Sequence, residues 1–238
     1  MPGIVLHTSA SRGEADHGWL YSRHTFSFAN YYDPGKIHFG KLRVLNDDIV
    51  APSKGFGMHP HKDMEIITIP QYGALKHADN MGNEAVISTG EVQVMSAGTG
   101  VYHSEFNASD TEPVNLFQIW IFTNENGHKP RYDQKIFSPQ ERIGKWQLLV
   151  SPDGRNDSLQ IHQNAFISSV DSDGLDEISY NLHSPENGVY FLVSEGSVEV
   201  EGNILEKRDA AGLWSFSEPL KIQFKQPSGL LAIEVPMH

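Results

Sequence analysis

The 238-residue chain contains no cysteine. Disulfides and thiolate ligation are therefore excluded, and any metal must be held by imidazole or oxygen ligands. No apolar run reaches 18 residues, so no transmembrane helix is expected. Residues Met1 to Ala10 lack a basic segment followed by an apolar core. No secretory signal is therefore expected, and the compartment reading is cytoplasmic. Runs of lysine or arginine are missing as well. With 30 acidic against 18 basic residues and a net charge of −12, direct contact with nucleic acid or anionic lipid is disfavoured. Long segments of 3.6-residue period are also lacking, which argues against a helical domain.

What is present is a succession of short strand-like runs separated by turn residues. Ile4 to His7 reads as a strand, and Ile37 to Leu45 and Asp48 to Ala51 read as two strands around an Asn46-Asp47-Asp48 turn. Met64 to Tyr72 is rich in isoleucine. Ala74 to Ala78 and Glu84 to Ser88 flank a hairpin turn at Asp79 to Asn83. Asn115 to Thr123 carries enough apolar residues to be buried on both sides. From Asn124 to Lys145 the periodicity is lost, and the stretch reads as a connection between domains. Strand-like runs resume at Trp146 and continue to Val235, with Gly202-Asn203 suited to a two-residue hairpin turn. Such a pattern predicts an all-β chain of sandwiches or barrels.

Two segments carry candidate metal ligands. One is Gly55-Phe56-Gly57-Met58-His59-Pro60-His61-Lys62-Asp63-Met64-Glu65, and the other is Gly98-Thr99-Gly100-Val101-Tyr102-His103-Ser104-Glu105. Residues i and i+2 of a strand project to the same face, so His59 pairs with His61 and His103 pairs with Glu105. Three imidazoles and one carboxylate suit a first-row divalent metal: iron, manganese, nickel, copper or zinc. A single His-x-His is more often structural; two pairs of matching spacing beside glycine turns favour a metal site. The aromatic stretch His17 to Pro34 reads first as a packed layer and second as a substrate-stacking surface.

A weak internal repeat relates Glu65–Gly73 to Gly188–Gly196 at an offset of about 123 residues, which predicts two copies of one barrel. At that offset His59, His61, His103 and Glu105 fall on Leu182, Ser184, Lys225 and Pro227. The second copy is therefore expected to carry no metal. The domains are read as 1–137, with the metal site, and 138–238, degenerate.

These motifs resemble the bicupins and, within them, the pirin family. The aromatic stretch 17–34, the run Phe56 to His61 and the run Gly98 to Glu105 carry the likeness, which is close over residues 10–135 and thin beyond. It implies two tandem cupin barrels of jelly-roll type. It also implies one metal in the first, usually iron, held by His59, His61, His103 and Glu105. It further implies quercetin 2,3-dioxygenase activity on a flavonol with dioxygen, or, alternatively, a regulatory or protein-binding role without turnover. Another cupin reaction on a different small molecule is the third reading. Glu65 shares apparent strand parity with His59 and His61, and it stands as an alternative ligand or, with Glu105, as a candidate catalytic base. Ser96 replaces the usual proline of the second cupin motif.

Overall fold

The computed structural model describes residues 3–174 and 177–238. The described residues are almost entirely strand, with three short 3-10 turns at Ser9–Ser11, Pro139–Arg142 and Arg155–Asp157. Two seven-stranded and two four-stranded sheets form two barrels of cupin type. The first seven-stranded sheet runs Arg131–Ile136, Glu91–Ser96, Met64–Tyr72, Val114–Phe122, Leu42–Val50, Leu20–His24, Gly13–Asp16. Its four-stranded companion runs Gly55–His61, Val101–Asn107, Ala74–Asp79, Glu84–Ser88.

The second half repeats this order. Its large sheet is Gly3–His7, Ala210–Trp214, Asn187–Glu195, Ser228–Pro236, Phe166–Ser172, Gln147–Ser151, Leu159–Gln160. Its small sheet is Glu177–Tyr180, Leu220–Phe224, Ser197–Val200, Asn203–Glu206. Met64–Tyr72 and Asn187–Glu195 hold the same place in the two large sheets, as the sequence repeat requires. The outer strand beside Glu91–Ser96 is Arg131–Ile136, whereas the strand in that place in the second sheet is Gly3–His7, from the other end of the chain.

Alternation along the central strands explains how the halves join. Odd-numbered residues of Val114–Phe122 (Phe117, Ile119, Ile121) enter one buried cluster with Ile67 and Leu45 from the first half and Leu192, Leu231, Ile233 and Val235 from the second. Even-numbered Gln118 and Trp120 face the first barrel's cavity. The strand is thus buried on both sides, as its composition predicts. Each such fully buried side chain contributes about 1.5–3 kcal/mol, so the joint is a core and no hinge is built into it. Arg208 adds a polar lock between the halves. Its Nε meets Asp47 at 2.9 Å, its Nη2 donates to Asn115 Oδ1 at 3.1 Å, and its guanidinium lies 4.7 Å from the Phe117 ring.

Three local readings change. Asn46-Asp47-Asp48 makes no turn; it lies inside the continuous strand Leu42–Val50, with Asp48 facing the cavity and Asp47 facing Arg208. Arg131–Ile136, within the stretch read as irregular, is a strand paired to Glu91–Ser96. The hairpin turn is Glu201-Gly202, both at positive φ (50° and 75°), and Asn203 already pairs with Val200.

The turn that delivers His103 depends on Gly98. Its φ is +48°, and a Cβ there would collide with the carbonyl oxygen of His128. Its own carbonyl accepts the Asp63 N–H at 2.9 Å, tying the two ligand segments together. Gly98→Ala is expected to cost about 2–4 kcal/mol and to lower Tm by roughly 5–10 °C in thermal unfolding. Gly57→Ala has open space around the added methyl and is the control. An unchanged Tm for Gly98→Ala would show that the turn adapts.

Candidate metal centre

The strands Gly55–His61 and Val101–Asn107 pair antiparallel, with His59 opposite His103 and Val101 opposite His61. A register shift follows, because Glu105 pairs with Phe56. The extra residue lies in the Gly57-Met58 segment, a bulge that leaves both histidines inward and Met58 exposed. One ligand nitrogen from each of His59, His61 and His103 lies within 4.8 Å of the others. Their ring centroids are 4.4–4.9 Å apart.

The donor chemistry fits a divalent transition metal. His59 Nδ1 lies 2.8 Å from the carbonyl of Gly57, which fixes the proton there and leaves Nε2 as a ligand. His103 Nε2 is buried and has no hydrogen-bond partner. Burial, with the charges of neighbouring histidines, holds the His61 imidazole down to about 4 and that of His103 far below its ordinary range. All the free energy of desolvation therefore favours the neutral, ligating form. With three nitrogen donors and no thiolate, the set suits iron, nickel or their neighbours better than calcium or magnesium.

Glu105 stands beside this triad on the same inward face as His103, 3% exposed. Both its carboxylate oxygens accept from Gln118 Nε2 at 3.2 Å. Gln118 Oε1 in turn accepts from Thr68 Oγ1 at 3.2 Å. Burial pushes the Glu105 carboxyl up to about 7, against the pull of these donors.

Glu65 does not join the group. The Lys62-Asp63 turn, with Asp63 at φ +48°, interrupts the strand and resets its alternation. Beyond it Ile66 faces the cavity, while Glu65 and Ile67 take the other face, toward the second half. There Ser96 Oγ donates to Glu65 Oε2 at 2.6 Å, so the serine that departs from the cupin pattern serves the glutamate that left the site.

The cavity above the triad has a volume of about 540 Å³. Trp19, Phe28, Phe56 and Trp120 wall it, with His59, His61 and Glu105 at one side. Trp19 packs edge-on against Phe56 at 5.2 Å, Phe28 against Trp120 at 5.3 Å, and His61 against Trp120 at 4.9 Å. The aromatic stretch thus supplies cavity wall as well as packing. Sequence reasoning missed the polar part of the wall, on the strands beside Gln118. Asp48 is buried there, pushed up to about 7 by desolvation, and accepts from Ser22 Oγ. His24 Nδ1 lies 3.0 Å from Asn46 Oδ1. The sequence signal was the i, i+2 pairing Ser22/His24 and Asn46/Asp48 on adjacent strands. Lysine and arginine do not occur among the lining residues.

In the second barrel the same strand positions are apolar. Tyr180 pairs with Leu220 where His59 pairs with His103, and Val200 pairs with Ile222 where His77 pairs with Glu105. All four belong to one buried cluster. The positions matching His103 and Glu105 are therefore Leu220 and Ile222, not Lys225 and Pro227, because the connections of the second barrel are shorter.

Fold and site together define a two-barrel cupin protein with a three-histidine cluster suited to a metal in its first barrel. The family model named Pirin matches residues 5–121, and that of the quercetinase C-terminal cupin domain matches residues 148–235. A quercetin 2,3-dioxygenase of Escherichia coli is 43% identical over 98% of this chain and 99% of its own. A putative quercetin 2,3-dioxygenase of Zymomonas mobilis is 45% identical over 97% of both. The crystal structure of a bacterial pirin from Escherichia coli in complex with nickel(II) superposes with a TM-score of 0.93 at 41% identity, covering 98% of this chain and 99% of that one. The chain belongs to the pirin family.

Glu65 gives a pH prediction. Burial pushes its carboxyl up to about 7, whereas an unfolded glutamate titrates near 4.3. Between those values the folded chain keeps a proton that the unfolded chain releases, so this group costs stability as pH rises through the window. Glu65→Gln removes that cost. Its stability relative to the parent should rise by on the order of 2–3 kcal/mol between pH 4 and pH 8 in urea unfolding. A difference independent of pH would refute the displaced titration.

Proposed function

We propose that this pirin is a metal-dependent dioxygenase that opens the ring of a flavonol-type substrate with dioxygen. The observation that carries the reading is the aromatic-walled cavity that reaches His59, His61 and Glu105. Its volume lies within the range of small-molecule sites, and its lining is mainly apolar with a few convergent polar groups. Relatives named quercetin 2,3-dioxygenase support the same chemistry.

His59, His61 and His103 would hold the metal, with Glu105 as the fourth ligand or the adjacent base. A divalent metal supplies Lewis acidity and open coordination positions there. The fit of three neutral imidazoles admits iron, the metal that the family resemblance implies, and nickel, the ion bound in the Escherichia coli pirin. Trp120 and Phe56 offer flat faces against which a planar ring system stacks. Glu105 accepts the proton of the substrate hydroxyl at a carboxylate oxygen, and a carboxyl titrating near 7 is matched to that task. Asp48, on the strand beside that of Gln118, accepts a hydrogen bond from a second hydroxyl. The absence of cationic side chains from the lining favours uncharged, hydroxyl-bearing aromatics over carboxylates. The apolar walls keep water from the reacting ring.

Oxygen uptake with quercetin is the test, on protein reconstituted anaerobically with iron(II) and separately with nickel(II). Metal-dependent uptake with loss of the flavonol absorbance is expected. His103→Ala should lose metal and turnover together. Full metal occupancy without uptake for either ion would defeat the dioxygenase reading and favour a binding role.

A further inference from the structure

His103 has a neighbour that the metal-ligand motifs do not include. His77, on the strand Ala74–Asp79, is fully buried, and its Nδ1 lies 3.5 Å from Nδ1 of His103. The two strands pair so that His103 is opposite Asp79 and Glu105 is opposite His77. On its other side His77 Nε2 meets Asp79 Oδ2 at 3.3 Å. Asp79 is itself fixed: its Oδ1 accepts the backbone N–H groups of Met81 (2.9 Å) and Asn83 (3.0 Å), and its Oδ2 accepts the Asn83 amide at 2.8 Å. Tyr132 stacks on the His77 ring with centroids 4.7 Å apart.

Proton bookkeeping along this row starts from the carboxylate. A carboxylate can only accept, so His77 carries its proton on Nε2 and donates it to Asp79. His77 Nδ1 is then an acceptor, which agrees with the Gln93 Nε2 amide 3.0 Å away. The His103 nitrogen facing it is Nδ1, at 3.5 Å; toward an acceptor whose lone pair it shares with Gln93 it can only donate, which favours its proton on Nδ1. Nε2 of His103 is left deprotonated, buried and without a partner. A lone pair is thereby held out at the place where the triad converges.

We propose that His77 and Asp79 are positioning residues of the metal centre: Asp79 sets the tautomer of His77, and His77 sets the tautomer and ring orientation of His103. A buried histidine that only fills space needs no such order of donors and acceptors. The second barrel supports the link, because where Leu220 and Ile222 replace the ligands, Val200 replaces His77. Outer partners of metal-bound histidines are typically worth 10–100-fold in metal affinity.

The inference rests on the metal reading of the triad, so its test includes a readout that needs neither metal nor turnover. Long-range proton–nitrogen correlation spectra of metal-free, 15N-labelled protein report each imidazole tautomer. His103 is expected in the Nδ1–H form in the parent, and as a mixture in His77→Phe, which keeps the ring stack and removes the acceptor. Nickel(II) titration of the folded variants is expected to show a Kd raised 10–100-fold for His77→Phe and less for Asp79→Asn. His77→Gln, whose amide oxygen restores an acceptor, should recover part of the loss. Asp79→Asn is nearly isosteric and keeps the test open if His77→Phe does not fold. An Nε2–H tautomer of His103 in the parent, or folded variants with parental nickel affinity, would overturn the proposal. A parent that binds no nickel or iron would instead defeat the metal reading, while the tautomer spectra would still decide the role of His77.

Discussion

The antiparallel pairing of Gly55–His61 with Val101–Asn107 is the constraint on which the site depends. It sets His59 directly opposite His103, where side chains of neighbouring strands stand only about 4.5–5.5 Å apart. No loop has to find its place for three imidazoles to converge. The bulge at Gly57-Met58 then lets Glu105 share the inward face without pushing either histidine out of register. Ligand geometry is inherited from backbone hydrogen bonds, which are among the least adjustable contacts a protein has.

The second half acts on the site from behind. The central strand Val114–Phe122 gives one face to the joint between halves and the other to the cavity. Gln118, which holds Glu105, and Trp120, which packs on His61, therefore stand on a strand anchored by the other barrel. A barrel with leucine, isoleucine and tyrosine at these positions thus still stiffens the one that carries the histidines.

Much of this was legible in the residues, and the failures have physical causes. His59 and His61 could be read together, and His103 as a second inward position, because a two-residue period within each strand leaves little freedom. Glu65 could not, because one left-handed residue, Asp63, between two strands reverses every face beyond it. Asn46-Asp47-Asp48 reads as a turn by composition. Asn46 and Asp48 instead face the cavity and bond to His24 and Ser22, and Asp47 meets an arginine from a distant segment, contacts that local propensity does not contain. His77 and Asp79 were masked by a correct reading of a hairpin: the aspartate that caps the turn also orients the histidine two residues before it.

Gly3–His7 closes the edge of the second large sheet by pairing with Ala210–Trp214. These five residues precede their partner strand by some two hundred residues, so during synthesis they are made long before it. The first barrel's sheets contain none of that segment, so they can form while it waits. Completion of the second sheet is thus coupled to synthesis of Ala210–Trp214 and of Ser228–Pro236, its central strand, which is made later still.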